Sequence, residues 1–492
     1  MDNLAVIQVL LPLLSAPLCL LFNKARLAWM IAVVVSWAAL FVSLSLLVMV
    51  NDNGPIIYEQ GGWPAPIGIV YHVDILTAFV LLIVTSIAAV VMPYAGKSVE
   101  KEIPVSKQPA FFSALLLCMA GLLGIVSTGD AFNVFVFLEI SSLATYALLS
   151  QGKDRRSLTS TFQYLIMGTI GGTFILIGIG LIYMKTGTLN MADLADRLPA
   201  VFDSRTVHAS FAFLTVGICL KLALFPLHLW LPNAYTYAPS VVTIFVAATS
   251  TKVAVYMLLR FSFTVFGVDL VFAKLPLTEV LLPLAIVGIL VGSLAAIKQS
   301  NIKRMLAYSS VAQIGYMILG ISFVSASGLT GGILHLFNHA IIKAALFMAL
   351  GAVAYQIGST HIDALKGLAK KMPWTFAGFA IGGLSIIGVP LTAGFVSKWY
   401  LVLAAIEKEW WIVVAVLLVG SLLAVIYIWR VVEVAYFQTA DDESDIQVKE
   451  APLQLLIPLW ILVIANIYFG INTSLTVESA SSAATMLLGA NS

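Results

Sequence analysis

Five charged side chains stand inside long apolar stretches of this sequence: Glu139, Lys221, Lys252, Lys343 and Lys398. A charge near the centre of a bilayer costs roughly 2.5 to 3.5 kcal/mol on insertion scales, so five cost on the order of 12 to 17 kcal/mol. That rivals the folding stability of an ordinary domain. Such groups face a protein interior or a wet cavity and have partners there. A structural ion pair is the plainest account of Glu139 with one lysine, but a single buried carboxylate cannot neutralise four ammonium groups. Some must be solvated by internal water or be deprotonated, and deprotonation is accessible to a buried lysine among other cations. A lysine poised in that way accepts and releases a proton, and a row of them can pass one along.

The run His335-Leu-Phe-Asn338-His339-Ala-Ile-Ile-Lys343 places ionisable groups at i, i+4 and i+8, one face of a helix. Three other readings stay open beside a titratable stripe. A His-x3-His pair can bind a metal, though no nearby Cys or buried acid completes a ligand set. Haem ligation lacks a placed partner histidine. The polar face can also be hydrogen-bonded packing. Lys252 follows Thr249, Ser250 and Thr251, a polar run suited to lining water, and Ser309, Ser310 and Gln313 could extend it, although such residues also act as helix–helix glue. No metal and no cofactor are expected.

The elements that carry these groups follow from composition. Of 492 residues 61% are hydrophobic and 10% charged, with mean hydropathy +1.02, against about 25% charged in soluble proteins. A water-facing globule and an embedded soluble catalytic domain are excluded. The net charge of +2 gives no footprint for nucleic acid. Cys19, Cys118 and Cys219 sit in apolar runs without ligand or disulfide spacing, and packing is the expectation. The opening Met1-Asp2-Asn3 lacks the basic start of a secretory signal, so the first apolar stretch is expected to be retained.

Polar and Pro/Gly-rich breaks divide the chain into fourteen spans, beginning near Leu4, Leu27, Ile75, Ala110, Phe132, Thr161, Ala209, Ser240, Val280, Met305, Thr330, Trp374, Trp410 and Leu453, each long enough to cross hydrocarbon. Sixteen Lys and Arg fall in loops on one side and six on the other; the remaining four of 26 are the in-span lysines. The richer side is expected in the cytoplasm, with both termini outside it. Asp74 and Glu433 lie near span ends, where a wet headgroup region is the ordinary explanation.

Two spans are interrupted by proline, at Lys221-Leu-Ala-Leu-Phe-Pro226 and at Gly388-Val-Pro390-Leu-Thr-Ala-Gly394-Phe-Val-Ser-Lys398. Each proline frees a carbonyl that needs protein or water, next to a lysine that needs the same. The breaks divide the chain into an N-terminal three-helix segment over 1–108, a five-helix unit over 109–266, a second over 279–438, and a last span with its tail over 450–492. Five spans per unit is odd, so the two units are expected to be inverted relative to each other. Gly168, Gly171 and Gly172 lack the lysine and strand of a phosphate loop and read as close helix packing.

The stretch Phe132 to Leu148 around Glu139, the stretch Lys221-Leu-Ala-Leu-Phe-Pro226-Leu-His228-Leu-Trp230-Leu-Pro232-Asn-Ala-Tyr235, and His335 to Lys343 resemble the antiporter-like subunits shared by respiratory complex I, membrane-bound hydrogenases and Mrp cation/proton antiporters. The resemblance covers nearly the whole chain and is greatest to the D-type member of the Mrp antiporters, with Lys398 where some members have Glu. It implies an all-α polytopic protein of an inner cell membrane with about fourteen transmembrane helices and two inverted five-helix repeats containing broken helices. It implies no enzyme chemistry but proton transport within a multisubunit Na+/H+ antiporter, with the other subunits, protons, Na+ and lipid as partners. The alternative is a proton-pumping subunit of a complex I or hydrogenase relative. Carried over by position, Glu139 and Lys221 form a switching ion pair, Lys252 is a relay lysine, His335, His339 and Lys343 continue the relay, and Lys398 is the exit-side carrier.

Overall fold

The computed structural model describes residues 3–439 and 448–489; the last three residues of the expected tail lie outside the described residues. The chain is built from helices α1 (Leu4–Phe22), α2 (Ala25–Asn53), α3 (Ile75–Glu102), α4 (Gln108–Ser127), α5 (Ala131–Leu149), α6 (Arg156–Thr186), α7 (Met191–Val201), α8 (Arg205–Leu222), α9 (Trp230–Tyr237), α10 (Ser240–Leu259), α11 (Leu277–Ile297), α12 (Ile302–Ser322), α13 (Ala326–Ile357), α14 (Leu368–Lys371), α15 (Pro373–Ile387), α16 (Ala393–Glu407), α17 (Trp411–Phe437), α18 (Leu453–Ile471) and α19 (Ser474–Leu487). Among the described residues, thirteen helical segments are long and apolar enough to cross a membrane, and the broken pair α15 and α16 supplies the fourteenth span. Every expected span has its helix, with starts displaced by a few residues.

The departure from an all-helical chain is a small antiparallel hairpin between α2 and α3, β1 (Ile56–Glu59) paired with β2 (Val70–Val73) in the register Ile56 to Val73. Beyond it, α10 continues as a π-helical stretch over Arg260–Val265.

Helix starts are fixed by short acceptor side chains that satisfy orphan N–H groups. Asp74 accepts from Thr77 N at 2.9 Å ahead of α3, Asp130 from Asn133 N at 2.7 Å ahead of α5, and Asn301 from Arg304 N at 3.2 Å ahead of α12. The span-length helices differ in what surrounds them. α3, α10 and α12 are buried almost all round, while α1, α2, α6, α11, α17 and α18 bury one side and leave an apolar face outward, as lipid-contacting helices do. The ionisable groups therefore sit on or against an interior layer.

Candidate relay of buried ionisable groups

Glu139 on α5 and Lys221 at the end of α8 face each other, Oε1 to Nζ, at 3.8 Å. The lysine donates its hydrogen bond to Ser142 Oγ at 2.9 Å, one turn along α5, and Glu139 Oε1 has no hydrogen-bond partner among the described residues. Room for the carboxylate comes from Gly172 on α6, where a Cβ would stand 2.5 Å from Oε1. Gly171 and Gly217 bring α6 and α8 together closely enough that a Cβ on Gly217 would meet Gly171 O at 2.7 Å. The glycine cluster is close packing, as its composition suggested. Lys221 is buried, but the Glu139 side chain is 28% exposed on the surface of the chain. A cavity of about 30 Å³ beside Lys221 is lined by Ser141, Ser142, Thr145 and, from α10, Ser250; it holds about one or two waters.

Two turns of α10 carry the next group. Lys252 is fully buried, and its Nζ donates to Ala247 O at 2.5 Å and approaches Thr251 Oγ1 at 3.3 Å. From α13, Lys343 donates to Leu306 O at 2.7 Å. His335 and His339 stack with ring centroids 5.9 Å apart. His335 is held at both nitrogens, Nδ1 to Ser397 Oγ at 2.8 Å and Nε2 to Gln313 Oε1 at 2.9 Å; neither nitrogen of His339 has a partner among the described residues. Lys252 lies within electrostatic range of His335, His339 and Lys343, and His335 within range of Lys398.

The second break seats Lys398. α15 ends at Ile387, Gly388 adopts φ 91° and Leu391 φ 70°, and α16 resumes at Ala393. Lys398 Nζ donates to the freed carbonyls of Ile386 and Ile387 at 2.9 and 3.0 Å and to Ser421 Oγ at 2.9 Å, and stands 4.8 Å from the Tyr316 ring centroid. The negative end of the α15 dipole and an aromatic face thus both favour the cation. On the other side of the break, Asn466 of α18 accepts from Ser385 Oγ at 2.8 Å and from Ala393 N at 3.3 Å, while Asn338 donates to Ala393 O at 2.6 Å. The first break is closed differently: Trp230 Nε1 donates to Leu220 O at 3.1 Å.

The structure therefore gathers Lys252, His335, His339, Lys343 and Lys398 into one electrostatically connected group, while the pair Glu139 and Lys221 stands beside a water-sized cavity that reaches α10 at Ser250, Val253, Ala254 and Met257, the helix face away from Lys252. Among the described residues, no group of three or more His, Cys, Asp or Glu could hold a metal ion.

Two buried charge sets escaped the sequence reading. Asp74, expected at a wet span end, and Arg260, counted among the loop cations, are 2% and 5% exposed and paired through their carboxylate and guanidinium. Burial alone would raise the Asp74 carboxyl, but the Arg260 guanidinium outweighs it and holds Asp74 below the usual carboxylate range. Burial also lowers the His72 ring next to it. On the opposite side Lys303, counted as a loop lysine, is buried and donates to Ala238 O at 3.2 Å and Ser240 Oγ at 3.3 Å; Glu102 accepts from Ser240 N at 2.8 Å. A charge within a turn of an apolar helix end signals neither burial nor exposure, which is why spacing could not find them.

Residues 128–424 match the family described as NADH:quinone oxidoreductase/Mrp antiporter, transmembrane. The chain is 40% identical to the N-type membrane chain of the NADH-quinone oxidoreductase of Desulforudis audaxviator, covering 95% of this chain and 96% of that one. It is 30% identical to the D-type chain of the Na+/H+ antiporter of Alkalihalophilus pseudofirmus, covering 96% and 94%. The Mrp complex from Dietzia contains a chain of the same fold, with TM-score 0.90 and 24% identity over 100% of this chain and 98% of that one. A chain of the archaeal membrane-bound sulfane sulfur reductase superposes with TM-score 0.88 and 32% identity over 99% and 98%. The resemblance read from three motifs thus extends over the whole length, and the chain, a multi-pass membrane protein, belongs to the antiporter-like transmembrane family of NADH:quinone oxidoreductases and Mrp antiporters.

Proposed function

We propose that this chain is the proton-translocating subunit of a multisubunit monovalent cation (Na+)/H+ antiporter in the inner cell membrane, with both termini on the non-cytoplasmic side. Its two five-helix units, 109–266 and 279–438, each bring one broken helix to the path. The observation that carries the reading is the set of ionisable groups within the helical bundle, the pair Glu139 and Lys221 beside a water-sized cavity and the connected group Lys252, His335, His339, Lys343 and Lys398. While Glu139 holds Lys221, the ammonium is favoured; when they separate, Lys221 releases its proton toward Lys252. Repulsion between charged neighbours then moves charge to Lys398, whose Nζ is seated on the freed carbonyls of Ile386 and Ile387. The partial exposure of Glu139 in mid-span supports a neighbouring subunit, since an anion left against hydrocarbon is costly.

Glu139→Ala, Lys221→Ala and Lys398→Ala complexes should assemble and lose sodium-dependent proton movement in vesicles. Normal antiport in any of them refutes its residue's role. The 40% identity to a chain named as part of a quinone oxidoreductase favours a second reading, proton pumping driven by a redox partner. In that case vesicles with the assembled complex would acidify on electron transfer and would not exchange Na+ for H+.

A further inference from the structure

The pair formed by Arg260 and Asp74 has no part in the relay, yet it stands on a relay helix. Lys252, Tyr256 and Arg260 follow one another at i, i+4 and i+8 along α10 and its π-helical continuation, so they share a face, with about 12 Å of helix from first to last. The Tyr256 hydroxyl donates to Val126 O at 2.7 Å, lies 3.0 Å from Thr77 Oγ1, and accepts from Arg260 Nε at 2.9 Å. The guanidinium also donates to Thr77 Oγ1 at 2.8 Å, to Thr264 Oγ1 at 3.3 Å and to the Asp74 carboxylate. Directly over it lies a cavity of about 540 Å³, whose floor includes buried Asp74 and Arg260 and whose rim includes exposed Pro55, Asp269 and Gly489.

On the Lys252 face of α10, the Tyr256 hydroxyl and the Arg260 guanidinium thus come between the level of Lys252 and a cavity open at the surface. A proton reaching Lys252 would otherwise have a way out along about 12 Å of this helix face. A guanidinium stays protonated at every physiological pH, so it cannot hand a proton on as a lysine can, and it repels one approaching from either side. Lys252 itself turns the other way, toward Ala247 O.

We propose that Arg260 is an electrostatic plug that closes the direct route from Lys252 to the hairpin-side cavity, so that protons leave the centre only along the membrane plane. Asp74 acts as the counter-ion that lets the plug be buried. The proposal rests on the relay reading above, and it separates from a merely structural ion pair because the two partners are then not equivalent.

The test is passive proton conductance after an acid pulse in vesicles holding the assembled complex. Arg260→Met, which takes away the fixed cation and its hydrogen bonds to Tyr256 and Thr77, should raise the leak about tenfold or more, a barrier change of about 1.4 kcal/mol. Asp74→Asn, which keeps the guanidinium in place, should stay tight. An Arg260→Met complex as tight as the unaltered one overturns the plug, and so do equal leaks in Arg260→Met and Asp74→Asn. If Arg260→Met fails to assemble around its lone carboxylate, the neutral double variant Asp74→Asn with Arg260→Met replaces it; a leak supports the proposal and a tight membrane overturns it. Adding Lys252→Met to the leaky variant should abolish the leak, and a leak that survives overturns the link to the relay. Normal antiport by Lys398→Ala would instead refute the relay while leaving these leak measurements unaffected.

Discussion

The ammonium of Lys221 lies 3.8 Å from the carboxylate of Glu139 and gives its hydrogen bond to Ser142 at 2.9 Å. The ion pair is thus already loosened, and the hydroxyl holds the loosened arrangement. A hydrogen bond to a charged group contributes roughly 1.5 to 3 kcal/mol. Ser142→Ala should collapse the pair and slow transport about tenfold or more at unchanged assembly; unchanged turnover would mean that Ser142 is a bystander.

Gly172 leaves the space in which the Glu139 carboxylate stands, and a Cβ there would lie 2.5 Å from Oε1. Gly172→Ala should displace the carboxylate and reduce antiport without preventing assembly. Gly217→Ala meets backbone instead, Gly171 O at 2.7 Å, and overpacking of that kind costs about 1 to 3 kcal/mol. It should lower the thermal stability of the solubilised complex, and equal melting of the two variants would contradict the distinction.

His335 is fixed from two helices, by Gln313 and Ser397. Gln313→Leu and Ser397→Ala each free one nitrogen and should each reduce proton flux, while His335→Ala should stop it. Full flux in His335→Ala, measured as sodium-driven proton movement in vesicles, would exclude the ring from the path.

The hairpin side carries a pH dependence. Burial lowers the His72 ring, so the folded state disfavours its proton. The stability contributed by the neutral ring is complete above about pH 6.5 and is lost as pH falls below it. Asp74, held low by Arg260, contributes above about pH 3.9 and loses its part only as pH falls through its own lower value. Melting temperature should therefore drop in two stages on acidification, and His72→Gln should remove the first. A His72→Gln profile identical to the parent's would assign that stage to another group.

The spans and the five mid-span charges were legible because a charge inside a long apolar run has no benign explanation. The stripe His335, His339 and Lys343 was legible from helical period, since four residues make nearly one turn. What holds these groups was not. Ser142, Ser397 and Ser421 are ordinary small residues in apolar helices, and only the crossing of α5 with α8, or of α13 and α17 with α16, makes them partners. Arg260 and Lys303 were hidden by position: at a helix end the same residue snorkels to water or turns inward, and tertiary packing decides which. The β1–β2 hairpin was missed because a run rich in Gly and Pro from Gly54 to Gly68 reads as a loop.

Asn466 reaches from α18, a helix outside both proposed five-span units, to the two lips of the α15–α16 break. The seat of Lys398 is consequently tethered to a helix that leaves an apolar face outward. A shift of the seat tugs on α18, and pressure on α18 from a neighbouring subunit shifts the seat. The proposed last proton carrier thus has its seat bonded to a helix that lies outside the unit carrying it.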